Sequence, residues 1–193
     1  MPLTDEERKS IVEIWSKAVD TQMHFNEMSV KSRQLGLTFV AGALGVGIVL
    51  LGRGSDFSIP VFSVDVHVSV LIVLAAALAL MAVRILDLNV YHKMLRGAVS
   101  FGEDFEENYM KQIFQLEKGM TQAISHFSRF SDAKVEANGT KYQYVGNVKV
   151  SAEKKIRAFY RNTITILILA AIVLFIFTSH TLLAETVSGG GGR

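Results

Sequence analysis

Three stretches of this chain hold almost no charge, and no other feature limits its fold so strongly. Leu35 to Leu51 (LGLTFVAGALGVGIVLL) contains no ionisable residue and is bounded by Arg33 and Arg53. A second stretch runs from about Val66 to Val83, with His67 near its start and Arg84 closing it. A third runs from about Ile164 to Ala184, entered from Arg161. A helix rises about 1.5 Å per residue, so roughly 20 apolar residues cross a hydrocarbon core of about 30 Å. In lipid the backbone must satisfy its own hydrogen bonds, which makes helices the economical reading. The alternative, a buried helix of a water-soluble protein, would have to occur three times in 193 residues. The expected fold class is therefore all-α, with three transmembrane helices, a helical cytoplasmic stalk and room for a small hairpin.

Lysine and arginine are spread unevenly around these stretches. Five precede the first (Arg8, Lys9, Lys17, Lys31, Arg33), and only Arg53 lies between the first and second. Thirteen fall between Arg84 and Arg161, and after the third stretch there is only Arg193. Alternation of rich and poor segments is what the positive-inside rule expects of three spans. The expected location is a bacterial inner membrane. The N-terminus and residues 85–161 would be cytoplasmic, and the C-terminus outside.

Five segments follow. Residues 1–33 read as an N-terminal amphipathic cytoplasmic helix, with Thr4 and Glu7 forming a capping box and Asp5 and Glu6 favouring the helix dipole. Ile11, Ile14, Trp15, Ala18, Gln22 and Phe25 recur at helical spacing there, a stripe suited to packing on another helix. Residues 34–84 hold the first two spans and a short external loop. Residues 85–161 form the cytoplasmic helical region, beginning as an extension of the second span, with a break near Gly119. Asn138-Gly139 marks a hairpin turn in it. Residues 162–187 are the third span. Residues 188–193 (SGGGGR) read as an added linker. The first apolar stretch begins behind a charged segment and so reads as an anchor, not as a short signal core.

Small residues line the first span. Ala41 with Gly45, and a second pair ending at Gly47, have small-xxx-small spacing beside Gly42, and Ala75 with Ala79 repeats it in the second span. Little hydrophobic force acts between helices in lipid, so close backbone approach is a main route to association. Three helices offer little burial within one subunit, and a homo-oligomer is expected. Asp65 and His67, at the outer mouth of the second span, are candidate pore-lining residues. Lys154, Lys155, Arg157 and Arg161, just before the third span, form a basic cluster suited to membrane lipid head groups or to an anionic ligand. Glu103, Asp104, Glu106 and Glu107 read as a solvated helix face.

Chemistry is thinly represented. With no cysteine, thiol nucleophiles, disulfides and Cys-rich metal sites are excluded. The five histidines (24, 67, 92, 126, 180) show no paired metal-binding spacing, and no Walker loop, GxGxxG or GxSxG pattern occurs. A net charge of +2 does not suggest a nucleic-acid partner. The expectation is a non-enzyme without catalytic residues, metal or cofactor.

Two stretches carry a resemblance. Trp15, Gln22-Met-His-Phe-Asn26 and Arg33, together with Tyr91-His-Lys-Met-Leu-Arg-Gly-Ala-Val99, resemble a group of small bacterial multi-pass membrane proteins. Some of these serve as membrane components of anti-phage defence systems. The similarity covers roughly residues 10 to 125. It implies a membrane component that damages the inner membrane when triggered, or one that holds and regulates a cytosolic partner encoded nearby. No catalytic residues come with it. The two-state element expected at this stage is the stalk formed by the extension of span two and the run into span three.

Overall fold

The computed structural model describes residues 3–61, 64–139 and 141–189, with side chains described up to Ser179. It is mostly helical, with three helices long and apolar enough to cross a membrane. The four C-terminal residues of the expected linker lie outside the described residues.

Helix α1 (Asp5–Leu51) is one unbroken element of 47 residues, about 70 Å long. The expected amphipathic helix and first span are thus a single rod. Its start follows the sequence signal. The Thr4 backbone N–H and hydroxyl donate to Glu7 Oε2 at 2.8 and 2.9 Å, and the Glu7 N–H donates back to Thr4 Oγ1 at 3.3 Å. These bonds, the backbone one foremost, hold the Glu7 carboxyl below its usual range.

A two-stranded antiparallel hairpin follows, β1 (Ser58–Val61) with β2 (Val64–His67), in register Ser58 opposite His67. Val66 and His67, expected at the start of the second span, are therefore strand residues. Helix α2 starts at Val68 and runs to Leu86. It continues through a π-helical turn (Asp87–Tyr91), α3 (His92–Phe105), a second π turn (Glu106–Met110) and α4 (Lys111–Phe114). Gln115, with φ 53°, ends the run.

Helix α5 (Met120–Arg129) restarts after Gly119, as the break in the pattern requires. Strands β3 (Lys134–Asn138) and β4 (Lys141–Val145) then pair around Gly139, whose φ of 65° suits the residue without a Cβ. Helix α6 (Ala152–Gly189) completes the chain.

The chain divides into two compact units. The first comprises the chain up to Lys31 together with Leu86–Arg157. Its interior holds Leu88, Phe105 and Met110 alongside Ser29, Asp87 and Glu106. The second comprises Ser32–Ile85 and the chain from Ala158 onward. Its interior is mainly aliphatic: Val73, Ala76 and Leu80 of α2 are at most 1 % exposed, with Leu167 and Ala171 of α6 nearly so, and Ser69 and Tyr160 are fully buried beside them in the same unit. Leu35, Ile48, Leu78, Ile166 and Val173 point outward instead, as on helices that face lipid.

Candidate functional site

The helical unit is organised around a carboxylate. Gly119 stands at the N-cap of α5 and has no side chain with which to accept from the helix's first amides. Glu106, from the second π turn, does this instead. Its Oε1 accepts the Thr121 N–H at 2.8 Å and its Oε2 accepts the Gln122 N–H at 2.8 Å. Its Oε1 also accepts the indole N–H of Trp15, the only tryptophan, at 2.9 Å. The positive end of a helix dipole favours a carboxylate here. A Cβ on Gly119 would fall 2.3–2.6 Å from Glu106, so the absent side chain is what admits the carboxylate.

Glu106 is fully buried, which corrects the reading of its cluster as a solvated face. Asp104 and Glu107 are exposed as expected, and Glu103 ion-pairs with Arg129 at 2.7 Å. Ordinary helical phase accounts for the difference: Glu106 lies four residues after buried Gly102 and beside buried Phe105, on the inward face, whereas Asp104 and Glu107 fall off it. The π turn begins at Glu106, whose carbonyl accepts the Lys111 N–H.

Two further polar ties hold α1 within this unit. Gln22 Nε2 donates to the Ala98 carbonyl and to Thr121 Oγ1, each at 3.3 Å. Ser29 Oγ donates to Asp87 Oδ1, and Asp87, wholly buried, begins the first π turn. Gly102 lets Gln22 through: a Cβ there would lie 2.3 Å from its Nε2 and 3.0 Å from Thr121 Oγ1. Trp15 and Gln22, quoted for the resemblance and placed in an apolar stripe, are hydrogen-bonding anchors. Beside them an open apolar groove of roughly 490 Å³ runs between α1 and α3, lined by Ile14, Ala18, Phe25, Met94, Gly97 and Phe101.

The β3–β4 hairpin is held by α5. His126 Nε2 donates to the Val145 carbonyl at 3.1 Å, and its ring stacks with Phe130 and Tyr144. Asp132 accepts the Val148 N–H at 2.8 Å and the Asn147 N–H at 3.0 Å, in that order holding its carboxyl below the usual range.

In the apolar unit, Ala41, Gly42, Gly45 and Ala75 are exposed, Ala79 is half-buried and Gly47 is buried. Gly42 and Gly45 have no atom within 4 Å of where a Cβ would sit, whereas Gly47 meets Ser69 at 3.9 Å. Gly36 is closed more tightly, against Val83 and Leu80 at 3.2–3.4 Å. Gly42, but not Gly45, lines an apolar groove of roughly 490 Å³ with Phe39, Ala43, Val46, Ile72 and Ala75.

Asp65 and His67 are placed differently. Asp65 is exposed on β2, and His67 is 3 % exposed. His67 caps α2: its Nδ1 accepts the Ser69 N–H at 3.2 Å and the Ser69 hydroxyl at 2.7 Å. Its Nε2–H donates to the Gly54 carbonyl at 3.2 Å. Lys154, Lys155, Arg157 and Arg161 are all exposed, and Arg157 is paired with Glu153 at 2.6 Å. Among the described residues no group of three or more His, Cys, Asp or Glu is placed to hold a metal ion.

No family model, curated protein or solved structure matches the chain, so its site is read from its own residues.

Proposed function

We propose that this chain is a non-enzymatic, multi-pass protein of a bacterial inner membrane that assembles with copies of itself through its spans. In this reading it perturbs or permeabilises the bilayer when triggered, as an anti-phage defence effector. The observation that carries it is the open small-residue groove at Gly42, Ala43 and Ala75, with Gly45 equally uncovered beside it. Backbones pack closely in lipid where small residues are left open in this way. The lysine and arginine distribution supports a cytoplasmic N-terminus and middle region with the C-terminus outside. Lys154, Lys155 and Arg161 are suited to anionic head groups, while Arg157 serves the Glu153 pair. Asp65 is the better candidate to line a water path, since His67 is occupied in capping α2. Membrane potential in cells expressing the protein with its genomic neighbours, before and after phage challenge, tests the proposal. Depolarisation that disappears with Gly45→Leu supports it, and a steady potential under protective expression refutes it.

A second reading, a scaffold that anchors and regulates a cytosolic effector, is favoured by the other groove, where Ile14, Met94 and Phe101 lie exposed. Filling it with Gly97→Leu would then break a complex with a neighbouring gene product while Gly45→Leu leaves that complex intact. The reverse pattern rejects the scaffold.

A further inference from the structure

Helix α5 is built the wrong way round for a helix held by hydrophobic burial. Its buried side chains are Thr121 and Ser125, while Met120, Ile124 and Phe127 are 44, 62 and 50 % exposed. Apolar area contributes little to keeping it in place, so directional bonds must do so. Chief among them are the two amides on Glu106, with the Gln22 amide on Thr121 beside them. The segment before α5 is not helical, and its Gln115 holds the left-handed conformation that a residue with a Cβ adopts only at some cost. Trp15 of α1 donates to Glu106 Oε1, the same oxygen that accepts the Thr121 N–H.

A buried carboxylate of this kind has no comfortable intermediate position. With all three donors in place its burial is compensated; drawn back by an ångström or two, it is a charge without partners in a dry interior. Such a group is either fully seated or out. We infer that Glu106 is a releasable restraint, joining α1 to α5 through Trp15 and the α5 amides, and that its withdrawal frees both helices together. This deepens the effector reading by naming the contact that a trigger must break. It also moves the two-state element from the extension of span two to the junction of that extension with α1, the same rod that continues to Leu51.

The test uses the full chain in vesicles of phosphatidylethanolamine and phosphatidylglycerol, with Trp15 emission and amide hydrogen exchange as readouts. Glu106→Gln replaces an acceptor oxygen with an NH₂ that faces other donors. Gly119→Ala puts a methyl group where the carboxylate sits. Both should red-shift Trp15 emission and speed exchange about tenfold or more, at the start of α5 and along residues 10–30 of α1 together. Faster exchange confined to 120–123, with Trp15 emission unchanged, would make Glu106 a local cap and overturn the inference. Should circular dichroism show Glu106→Gln poor in helix, Trp15→Phe decides, since it removes one bond and keeps a ring. Coupled acceleration in α1 and α5 then supports the restraint, and wild-type exchange in α5 overturns it. Membrane potential is recorded separately in cells. Coupled release without depolarisation leaves the restraint standing and sinks the membrane-perturbing reading.

Discussion

Gly102 and Gly119 in the helical unit sit against Gln22 and Glu106, with no room for a methyl group. Gly42 and Gly45 in the apolar unit face nothing within 4 Å. The same residue type does opposite work. In the helical unit the missing side chain is consumed within the chain, letting polar groups reach buried partners. In the apolar unit it is left uncovered, and only something outside the chain can use it. The interiors differ in the same sense. The helical unit buries Ser29, Asp87, Glu106 and Thr121 among few apolar residues, whereas the apolar unit buries mostly valine, leucine, isoleucine and alanine, with His67, Ser69, Tyr160 and Thr178 among them. Directional bonds specify one arrangement and fail abruptly; apolar packing in lipid tolerates sliding. On the proposed reading these are the behaviours that a sensing part and an assembling part need.

The contrast breaks most severely at Glu106. Glu106→Ala leaves an indole N–H and two amide N–H groups buried without an acceptor, and should destabilise the helical unit by about 3 kcal/mol or more. Urea denaturation followed by Trp15 emission measures this, and an unchanged midpoint would mean that the carboxylate holds nothing. Gly102→Ala should follow, at about 1–3 kcal/mol, by pushing Gln22 off Thr121. Its control, Gly42→Ala, should be neutral or stabilising by up to about 1 kcal/mol, because alanine is the better helix former and the space is open. Equal effects at 102 and 42 would erase the comparison.

His67→Ala removes the cap of α2 and should cost about 1 kcal/mol, with His67→Asn recovering most of it by offering another acceptor to Ser69. Thermal unfolding of the two variants in detergent distinguishes lost capping from lost bulk. The smallest effect is a pH dependence at Asp132. Its carboxyl is held below the ordinary value of 3.8, so its contribution is complete above that value and declines as pH falls through the lowered one. Protection of the Asn147 and Val148 amides, taken relative to the intrinsic exchange rate at each pH, should therefore fall only in acid, and Asp132→Asn should remove that response. Loss of protection near neutral pH would assign it to a different group.

Hydropathy made the three apolar helices legible, because roughly 20 uncharged residues in a row have few other uses. The Thr4–Glu7 capping box and the turn at Gly139 were legible for a related reason: each is a local signal between residues at most three apart. The β1–β2 hairpin was not, since its tip carries no Asn-Gly or Asp-Gly pair and Val64 and Val66 continue the apolar run of α2. The Glu106 network was hidden more deeply. Its acid belongs to an acidic run, its cap residue is a glycine, and Trp15 lies 91 positions away. Gly102 and Phe105 share its helical face, but a glycine and an acid within an acidic run give that face no continuous apolar signature.

The spacing of those partners along the chain also sets an order of biosynthesis. Trp15, Gln22 and Ser29 leave the ribosome long before their counterparts, which lie 91, 99 and 58 residues later for Glu106, Thr121 and Asp87. At about 5–20 residues per second the wait for Glu106 is roughly 5–18 s. Both early apolar stretches are made in that interval. On the membrane reading they can enter the bilayer while Trp15 and Gln22 of α1 still await Glu106 and Thr121. On that same reading the proposed restraint closes on a chain that is already anchored.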